Sequence, residues 1–169
     1  MKICIYGAGA IGGYLGVQLA RAGVDVSLVA RGAHLAAMKQ NGLKLLIGEE
    51  EHVVHPRCTD RPAELGVQDY IIICLKAHSI TAVIDRMKPL LGPQTRIVTA
   101  VNGIPYWYFY RHGGIYENMT LDSIDPAGRQ WQELGPERAI GCIVYPATEI
   151  VEPGVVRHVY GNHFPIGEP

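Results

Sequence analysis

A glycine-rich segment near the start of the chain, Gly7-Ala8-Gly9-Ala10-Ile11-Gly12, constrains the fold more than any other feature. It directly follows the apolar run Lys2–Tyr6, which suits a buried parallel strand. After it, Ala10–Ala22 carries apolar side chains at three- and four-residue steps and stops at Gly23, as an amphipathic helix does. A strand, a G-x-G-x-x-G turn and a helix in this order are typical of a dinucleotide-binding unit.

This motif predicts the first part of a binding site. Gly7 permits the tight turn, Gly9 lets the backbone approach a pyrophosphate, and Gly12 lets the helix lie close to the strand. The free amides at the helix start then face the anion along a favourable dipole. We therefore predict that residues 7–12 bind the cofactor; a glycine-rich turn without a ligand is the alternative.

Strand and helix patterns alternate along the chain as far as Val101. Such alternation indicates a parallel sheet that helices cover on both faces, which is a doubly wound α/β fold. The predicted strands are Val24–Ala30, Asp69–Leu75 and Arg96–Val101, the predicted helices are His34–Gln40 and Ile80–Leu91, and Leu43–Ile47 with His52–His55 indicates a hairpin.

The pattern changes beyond Asn102. Five consecutive aromatic residues, Tyr106–Tyr110, precede a stretch punctuated by Gly and Pro. The segments Arg138–Tyr145, Gly154–Tyr160 and His163–Ile166 then predict an antiparallel tail on the sheet. The predicted fold class is α/β: a Rossmann-type, doubly wound parallel sheet with antiparallel C-terminal strands.

Size and charge fit one dinucleotide-binding domain over residues 1–169, because a chain of 169 residues buries a core without disulfides. Lys and Arg number 15 against 16 Asp and Glu, with no dense basic block, which argues against nucleic acid or a membrane and for a small molecule as partner. The 4 cysteines stand far apart in the sequence, so we expect neither a metal site nor a disulfide. Free cysteines suit a location in the reducing cytoplasm. The apolar run at the N-terminus stops at Gly7, so we expect neither a signal sequence nor a membrane span there.

Three polar residues follow predicted strands at the edge where an open α/β sheet binds its ligand. Arg31 stands where an NAD-specific site would place a carboxylate, and because a guanidinium pairs with a 2′-phosphate, NADP(H) is the predicted cofactor. Lys76 and Asn102 follow later strands and are expected to point into the same crevice. The alternatives are an ordinary surface arginine, a solvated lysine and a turn-forming Asn-Gly pair.

In their order along the chain, these motifs resemble one family. They resemble the ketopantoate reductases (2-dehydropantoate 2-reductases), and the resemblance runs over essentially the whole chain. The residues that carry it are the glycine motif, Arg31, Leu75-Lys76-Ala77, Asn102-Gly103 and the C-terminal stretch Val156–Glu168.

The resemblance implies a function and roles for these residues. The implied reaction is hydride transfer from NADPH to 2-dehydropantoate, giving pantoate on the route to pantothenate and coenzyme A. The glycines would cradle the pyrophosphate and Arg31 would take the 2′-phosphate. Lys76 and Asn102 would contact cofactor and substrate, and Ala147 would lie near the nicotinamide.

The resemblance also implies a part that these residues do not supply. In the family, a lysine on a C-terminal helical domain donates the proton, whereas Lys88 is the last lysine here. We therefore expect residues 1–169 to be a fragment ending at a domain boundary, with the general acid beyond Pro169 and Lys76 or Asn102 only assisting. Another 2-keto acid as substrate, or a non-catalytic NADP-binding module, remains an alternative. The run Tyr106–Tyr110 is expected to pack on the helical domain or, without it, to form an exposed homodimer contact.

Overall fold

A computed structural model describes residues Met1–Pro169 as two β-sheets with α-helices and short 3₁₀ turns. The strands are β1 (Lys2–Tyr6), β2 (Asp25–Val29), β3 (Leu43–Ile47), β4 (Glu50–Val54), β5 (Arg57–Thr59), β6 (Tyr70–Ile73), β7 (Arg96–Ala100), β8 (Ala139–Cys142), β9 (Ala147–Glu152), β10 (Val155–Tyr160) and β11 (Ile166–Gly167). The helices are α1 (Ala10–Arg21), α2 (Gly32–Asn41), α3 (Ile84–Met87) and α4 (Arg129–Leu134).

The main sheet has seven strands in the order β11-β8-β7-β6-β1-β2-β5. All neighbouring strands are parallel except β11, which is antiparallel to β8. Because parallel strands share one carboxyl edge, the segments that follow β1, β2, β6, β7 and β8 leave the sheet side by side. The predicted α/β fold class is confirmed, and this edge carries the candidate site.

Apolar cores lie on both faces of the main sheet. Alternate residues of β1 point to opposite cores, with Cys4 and Tyr6 in one and Ile5 in the other. Both faces of β1 are therefore buried, which explains why this strand is an unbroken apolar run rather than an alternating one. None of the helices combines the length and apolar character that crossing a membrane requires.

The second sheet, in the order β4-β3-β10-β9, packs on the outer side of α1. A Cβ on Gly16 would lie 2.7 Å from Leu28 Cδ2 of the main sheet. A Cβ on Gly13 would lie 2.8 Å from Val156 Cγ2 of the second sheet. The glycines of α1 beyond the motif therefore let this helix fit between two sheets.

The predicted helix Ile80–Leu91 is mostly 3₁₀ turns, and α3 is its only α-helical part. The β-branched residues before α3 disfavour the α-helix, and Val83 leaves the helical region with φ −116° and ψ 5°. Pro89 lacks the amide that would continue the hydrogen-bond ladder. Of the apolar residues whose spacing predicted the helix, Ile80, Ile84 and Met87 are buried. Val83 and Leu91 are partly buried, and Leu90 is buried in place of Leu91.

The predicted antiparallel C-terminal strands are confirmed, since β11 is antiparallel to β8 and β10 to β9, but they do not form one tail on the main sheet. β8 is parallel to β7. β10 lies in the second sheet, where it is parallel to β3 and antiparallel to β9. β11 alone extends the main sheet antiparallel, and β9, with its exposed Glu149 and Glu152, was missed.

Two other short elements were missed as well. β5 has only three residues, and its place beside β2 at the sheet edge depends on tertiary pairing. α4 lies in the segment punctuated by Gly and Pro. The buried Asp125 carboxylate accepts the amides of Gln130 and Trp131 at 2.7 and 2.9 Å, which stabilises the start of this helix.

Candidate dinucleotide-binding site

The glycine motif forms the turn between β1 and α1 at the carboxyl edge of the main sheet. Gly7 has a φ of +103°, and Leu75 Cδ2 lies 2.6 Å from the position that a Cβ on Gly7 would take. A Cβ on Gly12 would lie 2.2 Å from the carbonyl oxygen of Gly7. The protein's own turn and packing therefore require both glycines.

Gly9 is different, because nothing in the protein requires a glycine there. A Cβ at this position would meet no atom within 4 Å, and the backbone has an ordinary φ of −79°. Open space above the backbone at the start of a helix fits a ligand that approaches the chain closely. A glycine at residue 9 is what a site for a closely approaching pyrophosphate would need.

The amides of the motif divide into two groups. Those of Gly7 and Ala8 donate to the carbonyl oxygen of Val29, at 3.1 and 2.9 Å, and Ala8 is buried. Those of residues 9–12 donate to no protein atom, as is usual for the first turn of a helix. The free amides are therefore those at the helix start, Gly9, Ala10, Ile11 and Gly12, whereas the amides of Gly7 and Ala8 hold the turn against β2.

Arg31 lies immediately beside this turn. The bonds from the Gly7 and Ala8 amides to Val29 join the end of β1 to the end of β2, and Arg31 is the N-cap residue of α2, two residues further on. Its side chain is exposed and makes no hydrogen bond or ion pair within the protein. The guanidinium is therefore available to an anion at this edge.

Lys76 follows β6, the neighbour of β1 on the other side. The amide of Cys74 donates to Tyr6 at 3.0 Å, and Leu75 packs against Gly7, so Lys76 leaves the sheet next to the glycine turn. It is exposed and its ammonium group has no partner. The structure therefore brings Lys76 to the predicted crevice.

Asn102 follows β7, but much of its amide group is already engaged. Its Nδ2 donates to the carbonyl oxygen of Val144 at 3.0 Å, and its Oδ1 accepts the Val144 amide at 2.9 Å. The paired contact joins the chain after β7 to the chain after β8. A freely presented Asn102 amide is therefore not what the structure shows; one N–H and one lone pair remain for a ligand.

Ala147 is the first residue of β9 in the second sheet, where it pairs with Tyr160. The segment that leads to it leaves the carboxyl end of β8 and is held by the Asn102 contact at Val144. Ala147 therefore belongs to the second sheet and is joined to the carboxyl edge of the main sheet by the short segment after β8. Its implied place near a nicotinamide stays a prediction.

The electrostatic character of this edge favours an anion. The segments that follow the first four of these strands, residues 7–13, 30–34, 74–79 and 101–105, contain no Asp or Glu. They contain the cations Arg31 and Lys76, and no acidic residue lies in the first turn of α1 or α2. Within these four segments a phosphate-bearing dinucleotide meets free amides and positive charge and no carboxylate. The exposed Asp60 follows β5, the neighbour of β2 at the sheet edge.

The aromatic run is not the exposed segment that the sequence suggested. Tyr106 is buried, and its hydroxyl donates to the Gly135 carbonyl oxygen at 3.2 Å. Trp107 Nε1 donates to Thr99 Oγ1 at 3.2 Å. Of the five residues only Tyr108 is exposed, at 50 %, so most of the run packs within this chain.

The cysteines are free thiols held in their protonated form. Burial raises the pKa of Cys4 to about 12 and that of Cys58 to about 11, and it also raises the pKa of Cys74, which follows β6 near the site. A thiol with a raised pKa is a poor nucleophile at neutral pH. These residues are therefore part of the packing, not of the chemistry.

Some contacts at this edge were outside the sequence-based predictions. No sequence motif around Val144 predicts that its backbone bonds to Asn102, which lies 42 residues away. His34 was predicted only as the start of a helix, yet its ring lies against the glycine turn. Its spacing from Arg31, one helical turn, is the only available signal.

The parallel sheet, the glycine turn and the cationic edge together define a Rossmann-type dinucleotide-binding domain. Among such domains, the chain belongs to the ketopantoate reductase family PanE/ApbA, whose profile matches residues 3–169. Ketopantoate reductases use a nicotinamide dinucleotide cofactor, and the residues present fit such a group.

Individual relatives agree with this assignment. A 2-dehydropantoate 2-reductase from Mesorhizobium japonicum is 52% identical over 170 residues, which is 100% of this chain and 52% of the relative. The crystal structure of a candidate ketopantoate reductase from Ralstonia solanacearum has a TM-score of 0.91 at 40% identity, over 98% of this chain and 51% of that one. The 2-dehydropantoate 2-reductase from Geobacter metallireducens has a TM-score of 0.79 at 28% identity, over 99% and 49%. The chain thus spans about half the length of the relatives it matches.

Proposed function

We propose that this chain is the dinucleotide-binding part of an NADPH-dependent reductase that converts 2-dehydropantoate into pantoate. The open space at Gly9, next to four free amides and the unpaired Arg31, is the observation that carries the proposal. Membership of the family supplies the reaction class. The proposed residues for the dinucleotide are Gly9, Ala10, Ile11 and Gly12 through their amides, Gly7 and Ala8 through the shape of the turn, and Arg31, Lys76, Asn102 and Ala147.

The choice of NADPH over NADH rests on Arg31. A guanidinium at the end of β2 forms charge-assisted hydrogen bonds with a ribose 2′-phosphate, whereas a ribose hydroxyl gains little from it. Because Arg31 has no partner in the protein, binding the phosphate breaks no existing ion pair. The segment that follows β2, residues 30–34, contains no carboxylate that would hold the hydroxyl.

Calorimetric titration of NADPH and NADH tests this choice. We expect Arg31→Ala to weaken NADPH binding by about 1.5–3 kcal/mol, the typical contribution of hydrogen bonds to charged groups. NADH affinity should stay nearly unchanged. Arg21→Ala is the matched control, because Arg21 lies at the opposite end of α1 and bonds only to Gln18. Equal losses for NADPH and NADH in Arg31→Ala would refute the assignment of the 2′-phosphate.

In the proposed reaction a bound NADPH supplies hydride to the keto carbon, and the oxygen of the substrate becomes an alkoxide that needs a proton. Lys76 is placed to attract the substrate carboxylate or the developing negative charge. Asn102 offers its remaining N–H while its other contacts keep the neighbouring loop in place. We assign the general acid to the half of the longer relatives that this chain does not match.

Turnover separates the dinucleotide-binding role from complete catalysis. We expect negligible oxidation of NADPH when the 169-residue chain is mixed with 2-dehydropantoate. Joining the chain to the unmatched half of the Mesorhizobium relative should restore activity, and a panel of other 2-keto acids would then test the substrate. Robust turnover by the chain alone would show that its own residues donate the proton, and Lys76→Ala would be the first variant to examine.

Two further parts of the proposal concern the cellular location and the oligomeric state of the protein. A cytoplasmic location fits four free thiols. A homodimer through residues 106–110 has little support, because Tyr108 is the only exposed member of the run. Light scattering at high protein concentration tests it, and a monomer would end that hypothesis.

A further inference from the structure

The His34 side chain connects segments that are distant in sequence. Its Nδ1 accepts the amide of Gly154 at 3.0 Å, across 120 residues of sequence. Gly154 is buried in the turn between β9 and β10, and a Cβ there would lie 3.0 Å from the Cβ of Ala37 on α2. The turn is therefore packed closely on α2, and its amide depends on the imidazole for a partner.

The other ring nitrogen of His34 faces the glycine turn. Nε2 is closed to solvent and has no hydrogen-bond partner within the protein, and the Ala8 backbone lies close enough to the ring to raise its pKa. Because Nδ1 accepts, Nε2 carries the hydrogen in the neutral ring. Burial also lowers the pKa of His34, which favours this neutral form. The neutral ring thus accepts the Gly154 amide at Nδ1 and carries its hydrogen on Nε2.

These contacts fix the first turn of α2 in space. Arg31 is the N-cap of this helix and His34 is three residues later, so the ring holds the backbone that carries the guanidinium. The same ring lies under Ala8, whose amide is bonded to the end of β2. A change at His34 therefore displaces Arg31 relative to the glycine turn without removing any group that would touch the dinucleotide.

We propose that His34 is a positioning residue, which sets the distance between Arg31 and the glycine turn and so determines the preference for a phosphorylated ribose. The inference rests on the proposed dinucleotide site. It adds a residue that makes no ligand contact of its own. It also assigns a role to the turn between β9 and β10 of the second sheet: the Gly154 amide in this turn donates to the imidazole and fixes its orientation.

Three substitutions test this role. His34→Leu removes both nitrogen contacts at similar volume. In His34→Asn, the side-chain oxygen occupies the place of Nδ1 and accepts the Gly154 amide, while His34→Gln places its polar group near Nε2 instead. His112→Leu is the control, because His112 is exposed and lies in a loop outside the site. Affinities for NADPH and NADH are measured by calorimetry, and unfolding midpoints by circular dichroism.

We expect His34→Leu to weaken NADPH binding about tenfold and NADH binding about threefold at most, as loss of a buried hydrogen bond predicts. His34→Asn should stay within about threefold of the natural protein, and His34→Gln should resemble His34→Leu. A general loss of stability would lower both affinities together and would not be rescued by Asn. If His34→Leu fails to fold, the comparison of Asn with Gln carries the test.

Equal losses for NADPH and NADH, or His34→Asn binding no better than His34→Gln, would overturn the inference while leaving the dinucleotide site in place. Failure of the natural protein to bind either dinucleotide would instead refute the proposed function, and the positioning role with it. The two failures are distinguishable because the natural protein is titrated first.

Discussion

Gly9→Ala is the substitution that separates ligand binding from folding most cleanly. A Cβ at this position meets no protein atom within 4 Å, and the φ of −79° is open to any residue. Two small effects on stability oppose each other. Ala is a poorer N-cap than Gly, by a few tenths to about 1 kcal/mol, while the less flexible unfolded chain contributes about 0.4–1 kcal/mol in favour of folding. We therefore expect the free energy of unfolding to change by less than about 0.5 kcal/mol.

The effect on binding should be much larger. A methyl group placed where a pyrophosphate approaches the backbone has no room, and forced overpacking of one methyl costs about 1–3 kcal/mol. This corresponds to roughly a 5- to 150-fold loss of dinucleotide affinity. NADPH and NADH should be affected equally, because they share the pyrophosphate.

Gly12→Ala is the matched contrast. Its Cβ would lie 2.2 Å from the Gly7 carbonyl oxygen, a backbone atom that moves only with the turn. The gain in helix propensity, about 1 kcal/mol, does not offset this clash, so we expect a net loss of about 1–2 kcal/mol of unfolding free energy. Urea unfolding and calorimetric titration of both variants provide the two readouts.

Two results for Gly9→Ala would refute the reasoning. If Gly9→Ala keeps full affinity for the dinucleotide and natural stability, the open space at Gly9 is not the pyrophosphate site. If instead Gly9→Ala loses stability as Gly12→Ala does, the turn is packed more closely than the structure shows. Only selective loss of binding supports the proposal.

Three other predictions concern contacts around the site. Tyr106→Phe leaves the Gly135 carbonyl without its buried donor, and urea unfolding should show a loss of about 1 kcal/mol; no change would mean that water replaces the hydroxyl. Asn102→Leu removes both bonds to Val144, and we expect a loss of about 1–2 kcal/mol together with faster proteolysis after β8; natural proteolysis rates would contradict this. Burial and the Ala8 carbonyl are the only resolved influences on the pKa of His34, and burial lowers it, so the unfolded chain binds this proton more tightly. Unfolding free energy should therefore fall as pH drops below about 6.5, and His34→Asn should reduce that slope; an identical slope would exclude His34 as the source.

The sequence by itself determined the features that depend on neighbouring residues. The turn after β1 could be predicted because two of its requirements are local: Gly7 has a φ of +103°, and a Cβ on Gly12 would meet the Gly7 carbonyl oxygen. Arg31 could be placed because the residue at the end of the next strand always emerges beside that turn in a parallel sheet. Most of the buried side of Ile80–Leu91 could also be predicted, although the continuous helix was wrong, because apolar spacing reports burial more directly than backbone conformation.

The tertiary structure alone decided the features that join distant segments. The bond from Gly154 to His34 spans 120 residues, and the pairing of Asn102 with Val144 spans 42. β10 lies in the second sheet and not in the main sheet. There Val156 packs against Gly13 on the outer side of α1, a contact that no local sequence pattern specifies. Hydrophobic periodicity states which side of a strand is buried but not which partner buries it, so these contacts follow only from the folded arrangement.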